Sequence, residues 1–172
     1  YDSLKSSQSS VPQDIFFNDD GTKMYGLGII DEKVYEYDLS TAWKLTTASY
    51  NGVNISTQAG SYGFCFSSDG TKMYEVSSYD IYEYDLTTAW DLSSASYNGE
   101  TSTLPDIYRG CFVSSEGFKL FTVGGGDYKA FEFIMSTEVG TDTGVSSGSD
   151  STITTSTLNT GTEYGWHVNV SD

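Results

Sequence analysis

Basic residues are scarce: eight Lys and Arg stand against 24 Asp and Glu, giving a net charge of −16 over 172 residues. Phosphate backbones and anionic bilayers both need basic surface, so this balance argues against nucleic acid and membrane surfaces as partners. No stretch approaches the 18 or so apolar residues that span a bilayer, and no basic-then-apolar leader opens the chain. The single histidine, His167, sits in an alternating stretch and reads as a strand residue without a catalytic role. With one His and no Gly-x-Ser-x-Gly elbow, nucleophilic catalysis of the Ser-His-Asp kind is not expected. The two cysteines, Cys65 and Cys111, each replace a large apolar residue of a strand and read as two buried thiols, with a disulfide open to them only if neighbouring strands bring their Cα atoms within about 7 Å.

What the chain does have is a repeat. FFNDDGTKMY at 16–25 returns as FCFSSDGTKMY at 64–74, and YEYDLSTAWKLTTASYNG at 35–52 returns as YEYDLTTAWDLSSASYNG at 82–99. The turn glycines Gly21, Gly70 and Gly117 set periods of 49 and 47 residues. A period this long denotes stacked supersecondary units. The third copy, from Cys111, keeps the apolar positions but loses the Ala-Trp element, as an end repeat does.

One copy reads as four strands. In the second, 62–67 and 72–77 flank an Asp-Gly turn, a strong hairpin signal because Gly accepts positive φ and Asp bonds its own backbone. Tyr82, Tyr84 and Leu86 alternate against Glu83 and Asp85 in a third strand. The Thr87–Ser93 stretch is too short for a helix and forms a turn that seats Trp90, as its counterpart seats Trp43. A polar outer strand follows at 95–102. Gly26-x-Gly28 and Gly124–Gly126 read as loops between the second and third strands rather than as a dinucleotide fingerprint.

Four antiparallel strands in about 48 residues make a β-propeller blade. The F-x-F-S-x-D-G-T-K-M-Y core resembles the blade motif of WD40- and TolB-like propellers. The Y-E-Y-D-L-S-T-A-W segment is similar to repeats in bacteriophage tail-fibre and bacterial surface proteins. The expected organisation is all-β, with blades at about 1–49, 50–96 and 97–137, a Gly/Ser/Thr linker at 138–151 and a β segment at 152–172. That last segment resembles part of a fibronectin type III domain.

Propellers close with four to eight blades, and only three are counted. The expected partners are therefore further blades of a longer parent chain or a second protomer, and Tyr1–Val11 aligns with the outer strand of a preceding blade.

The resemblance implies a non-enzymatic extracellular or virion module, a propeller segment presenting loops to a glycan or host receptor. Rival readings are a filament subunit joined through open blade faces and a secreted polysaccharide hydrolase. Tyr79, Tyr108 and Tyr128, in or near loops, are the candidate ligand contacts. Asn54 and Asn169 head glycosylation sequons. Asn18–Asp20 and Asp31-Glu32 are the densest acidic clusters, but turn chemistry accounts for the first and neither has calcium-loop spacing. Neither a metal nor a cofactor is expected.

Overall fold

The computed structural model describes residues 11–58, 60–103, 108–115, 117, 119–124 and 129–135. Eleven strands occupy them: β1 (Pro12–Phe17), β2 (Lys23–Gly28), β3 (Lys33–Leu39), β4 (Ala48–Ser56), β5 (Ser61–Phe66), β6 (Lys72–Ser77), β7 (Asp80–Leu86), β8 (Ala95–Thr103), β9 (Tyr108–Val113), β10 (Lys119–Gly124) and β11 (Ala130–Ile134). They form three antiparallel meanders, β1–β4, β5–β8 and β9–β11, which are blades 1, 2 and 3. The first strands lie side by side, β1 against β5 and β5 against β9, as the inner strands of a propeller do. No helix among the described residues is long and apolar enough to cross a membrane.

In blades 1 and 2 the first hairpin follows from the Asp-Gly-Thr turn. Gly21 and Gly70 take φ of 70° and 71°, while Asp20 and Asp69 accept the amides of Thr22 and Thr71. The Thr22 hydroxyl and amide hold the Asp20 carboxyl below the usual range, and the Thr71 amide and Ser67 hydroxyl do the same for Asp69. The bare glycine also makes room for a tryptophan: a Cβ on Gly21 would lie 2.4 Å from the Trp43 ring, and one on Gly70 2.3 Å from Trp90. Each Trp sits at positive φ and donates its amide to the carbonyl of that glycine. A 3-10 turn follows, at Leu45–Thr47 and at Leu92–Ser94.

Period-2 alternation gives each blade two faces. On blade 1, the register pairs Tyr25 with Glu36 and Leu27 with Val34, and these side chains are buried toward blade 2. Blade 2 answers with Phe64, Phe66, Met73, Tyr84 and Leu92. Its opposite face carries Cys65, Tyr74, Val76 and Ile81, packed with Val113, Leu120 and Phe133 of blade 3. A large apolar side chain buried in full contributes roughly 1.5–3 kcal/mol. The ion pair of Lys72 with Asp85, both partly exposed, adds at most about 1 kcal/mol. Blade stacking, not surface charge, therefore holds the array together.

Three expectations need correction. Cys65 and Cys111 are not free thiols: they form a disulfide with Cα atoms 5.4 Å apart. They occupy opposite faces in the repeat, and on adjacent blades opposite faces meet. Gly26 and Gly28 lie inside β2 rather than in a loop. Trp90 packs between blades, against Phe16 and Phe66, but its counterpart Trp43 is 61% exposed. The expected linker at 138–151 and the fibronectin-like segment at 152–172 lie outside the described residues.

Candidate functional site at the channel end of the inner strands

The starts of β1, β5 and β9, together with the β2–β3 and β6–β7 turns, share one end of the array. Two carboxyl groups there are raised by burial. Asp14, on β1, accepts the amide of Phe64 from the neighbouring blade at 3.1 Å and that of Ile15 at 2.8 Å; desolvation outweighs these bonds. Glu75, on β6, is fully buried and is the cross-strand partner of Phe64. It accepts bonds from the Gln58 amide at 2.9 Å, from the Tyr84 phenol at 2.8 Å and from the Ser61 hydroxyl. Burial again is the largest influence, and the negative charge of Glu32 adds to it. The two acids thus stand on either side of Phe64, which brings them to the seam between blades 1 and 2.

Glu75 breaks the repeat: blade 1 has Gly26 at this position and blade 3 has Thr122. Through Gln58 and Ser61 it holds the connection between blades against Tyr84 on β7. At the second seam, the Arg109 guanidinium lies 4.8 Å from the centre of the Tyr62 ring, a cation–π contact between β9 and β5. The inner strands β5 and β9 approach closely at Gly63, where a Cβ would lie 2.7 Å from the Gly110 nitrogen.

Of the tyrosines picked from the sequence, Tyr79 is 54% exposed in the β6–β7 turn. Tyr108 opens β9, but its side chain lies outside the description, and so does the whole of Tyr128. Asn54 is half-buried on β4 and donates to the Tyr50 hydroxyl at 2.7 Å; Asn169 and His167 lie outside the described residues. Asn18 is buried and ties the hairpin through the Lys23 amide. Asp31 accepts the Tyr35 phenol on one oxygen, while its other oxygen is buried with no partner. Among the described residues, no three His, Cys, Asp or Glu are placed to hold a metal ion.

The opposite end carries clasps between blades. The Tyr25 phenol donates to the Trp90 carbonyl at 2.6 Å, and Glu36 accepts the Leu92 amide at 2.8 Å. Glu36 also binds the ammonium of Lys23 and the Asn51 amide group. Ser68 donates to the Ser115 carbonyl at 2.9 Å across the second seam.

No protein-family profile matches the chain, and no curated protein does. Its fold does match solved structures. One is a Bacteroides fragilis protein provisionally assigned as a 6-phosphogluconolactonase, with 16% identity and TM-score 0.56, over 76% of this chain and 36% of that one. Another is a chain of a mitotic checkpoint complex, at 7% identity and TM-score 0.57, over 75% and 38%. A third is a Lactobacillus plantarum protein at 14% identity and TM-score 0.55, over 72% and 37%. At such identities the likeness concerns the fold alone. The chain spans less than two fifths of each. The expectation of a tail-fibre or adhesive module is corrected by these matches, which include a provisionally assigned lactonase and no fibre or adhesion protein. What the sequence and these folds share is an all-β, propeller-like architecture, present among the described residues as three sheets that do not close.

Proposed function

We propose that the chain forms three consecutive blades of a larger propeller of enzyme-like type, whose ligand site lies at the channel end where β1, β5 and β9 begin. The observation that carries this reading is the contrast between two equivalent tryptophans. Trp90 rests against Phe16 of the preceding blade, whereas Trp43, in the same turn, is 61% exposed where a preceding blade would lie. Blade 3 repeats the contrast at the far end: Phe112 and Val123 are more than half exposed on the face that blades 1 and 2 bury. Apolar area in water costs about 25 cal/mol per Å², so both faces favour a covering blade. The test is binding of an apolar fluorescent dye by the chain held monomeric by dilution. Strong binding is expected, and a stable monomer that binds none would overturn the reading.

A second, catalytic reading is favoured by the half-buried Asp14 and the buried Glu75, because carboxyls with raised proton affinity beside one seam suit acid–base chemistry. The Bacteroides fragilis protein supplies the reaction to try, hydrolysis of 6-phosphogluconolactone. Turnover by the wild type but not by Asp14→Asn supports it; equal rates would sink it. The Cys65–Cys111 bridge supports an oxidising, extracellular setting for either reading.

A further inference from the structure

The two open faces fit each other, and the repeat says how. Aligning Gly117 with Gly21 places Phe112 of blade 3 where blade 1 has Phe16, Phe121 where it has Tyr25, Val123 where it has Leu27 and Glu132 where it has Glu36. These four blade 1 residues are the surface that blade 1 turns to blade 2. Likewise, Ile15, Phe17, Met24, Trp43 and Leu45 of blade 1 stand where blade 2 has Phe64, Phe66, Met73, Trp90 and Leu92. Those are the residues that receive blade 1.

The inner-strand residue discriminates between partners. Where the next blade carries the tryptophan turn, the position is a phenylalanine: Phe16 stacks on Trp90 at 6.2 Å. Where the next blade lacks it, the position is Cys65, joined instead to Cys111. Blade 3 has Phe112 there, 62% exposed and 6.2 Å from Phe121, and so is built for a tryptophan-bearing blade. Blade 1, with Trp43 exposed, is such a blade.

We propose that a second copy of this chain supplies it, each copy setting Phe112 against the partner's Trp43, so that two head-to-tail contacts close a six-blade ring. Glu132, now held by Lys119 at 2.9 Å, takes the place of Glu36 and faces the Leu45 amide as Glu36 faces that of Leu92. Phe121 lacks the hydroxyl with which Tyr25 reaches Trp90, so this clasp is one bond poorer than the internal one. Each contact runs head to tail, and a two-fold axis relates the two, so the assembly closes as a ring rather than growing as a fibre.

This inference rests on the open-arc reading above, and the experiment separates them. Sedimentation of the chain across a concentration series is expected to give twice the 18.8 kDa of one chain. Phe112→Ser and Trp43→Ala, both at exposed sites, are each expected to raise the dimer dissociation constant at least tenfold with unchanged circular dichroism. Mixing the two variants restores one intact contact per ring, so the mixture is expected to dimerise more tightly than either alone. A dimer indifferent to both substitutions, no gain on mixing, or an open-ended polymer would overturn the proposal. A monomer at every concentration would overturn it too: if that monomer binds apolar dye, the arc still wants a different blade, and if it binds none, the arc reading falls as well.

Discussion

The phenol of Tyr25 donates to the main-chain carbonyl of Trp90 at 2.6 Å, joining two residues 65 positions apart in the sequence across the first seam. Desolvation and the nearby charge of Glu36 raise the phenol's pKa, so it keeps its proton and remains a donor. Tyr25→Phe removes the bond and leaves a partly buried carbonyl without this donor. The expected loss is about 1–2 kcal/mol in urea unfolding, with no change in the strand signal, since blade 3 already carries Phe121 at this position. An unmoved midpoint would show that the clasp contributes nothing.

The Cys65–Cys111 bridge closes a loop of 46 residues between inner strands. Constraint of the unfolded chain by such a loop is worth about 2–4 kcal/mol. The double variant Cys65→Ser, Cys111→Ser is expected to lose that amount, and dithiothreitol is expected to bring the wild type down to the same urea midpoint. A wild type insensitive to reductant would contradict the link, and non-reducing peptide mapping checks the pairing directly.

Strand positions were legible because the repeat states its own register: the turn glycines Gly21, Gly70 and Gly117 mark each first hairpin, and the alternation around Tyr35 and Tyr82 fixes the third strand. Blade facing was not, since two buried faces look alike in a period-2 pattern. That is why the cysteines read as thiols, although one replaces a Phe16-type and the other a Phe64-type residue. Glu75 had a visible signal in hindsight, a carboxylate where its sister copies have Gly26 and Thr122. Asp14 had none, because only the packing of β1 on β5 brings it to the Phe64 amide. The repeat says less about the loop tyrosines, because it specifies strands while the connections between them vary from copy to copy.

Gly63 supplies a steric test of the inner-strand spacing. A methyl group there would meet the Gly110 nitrogen at 2.7 Å and its Cα at 2.8 Å, backbone atoms that cannot rotate away. The inner strands β5 and β9 must separate, straining the seam beside the disulfide. Gly63→Ala is expected to cost more than about 2 kcal/mol, the range of overpacked cores. If its thermal midpoint matches the wild type, β5 and β9 are not in this contact.

Glu75 gives a prediction about pH whose sign can be worked out. Burial raises its pKa above the ordinary glutamate value of 4.5, so the folded chain holds this proton more tightly than the unfolded chain does. The stability linked to it is fully present below about 4.5 and is lost as pH rises through the raised folded value. Asp20, Asp69 and Asp91 behave oppositely, being lowered by bonds from Thr22, Thr71 and Ser93, and they lose stability as pH falls. Those three are shared by the wild type and Glu75→Gln, so their effect cancels in the difference between the two chains. The variant is expected to be the less stable at pH 7.5, because one amide oxygen cannot accept from Gln58, Ser61 and Tyr84 together. As pH falls from 7.5 to 4.5, the wild type should gain on the variant in paired urea titrations. A difference that shrinks over that interval would mean that Glu75 is ionised at little cost in the fold, and that water reaches its buried carboxylate.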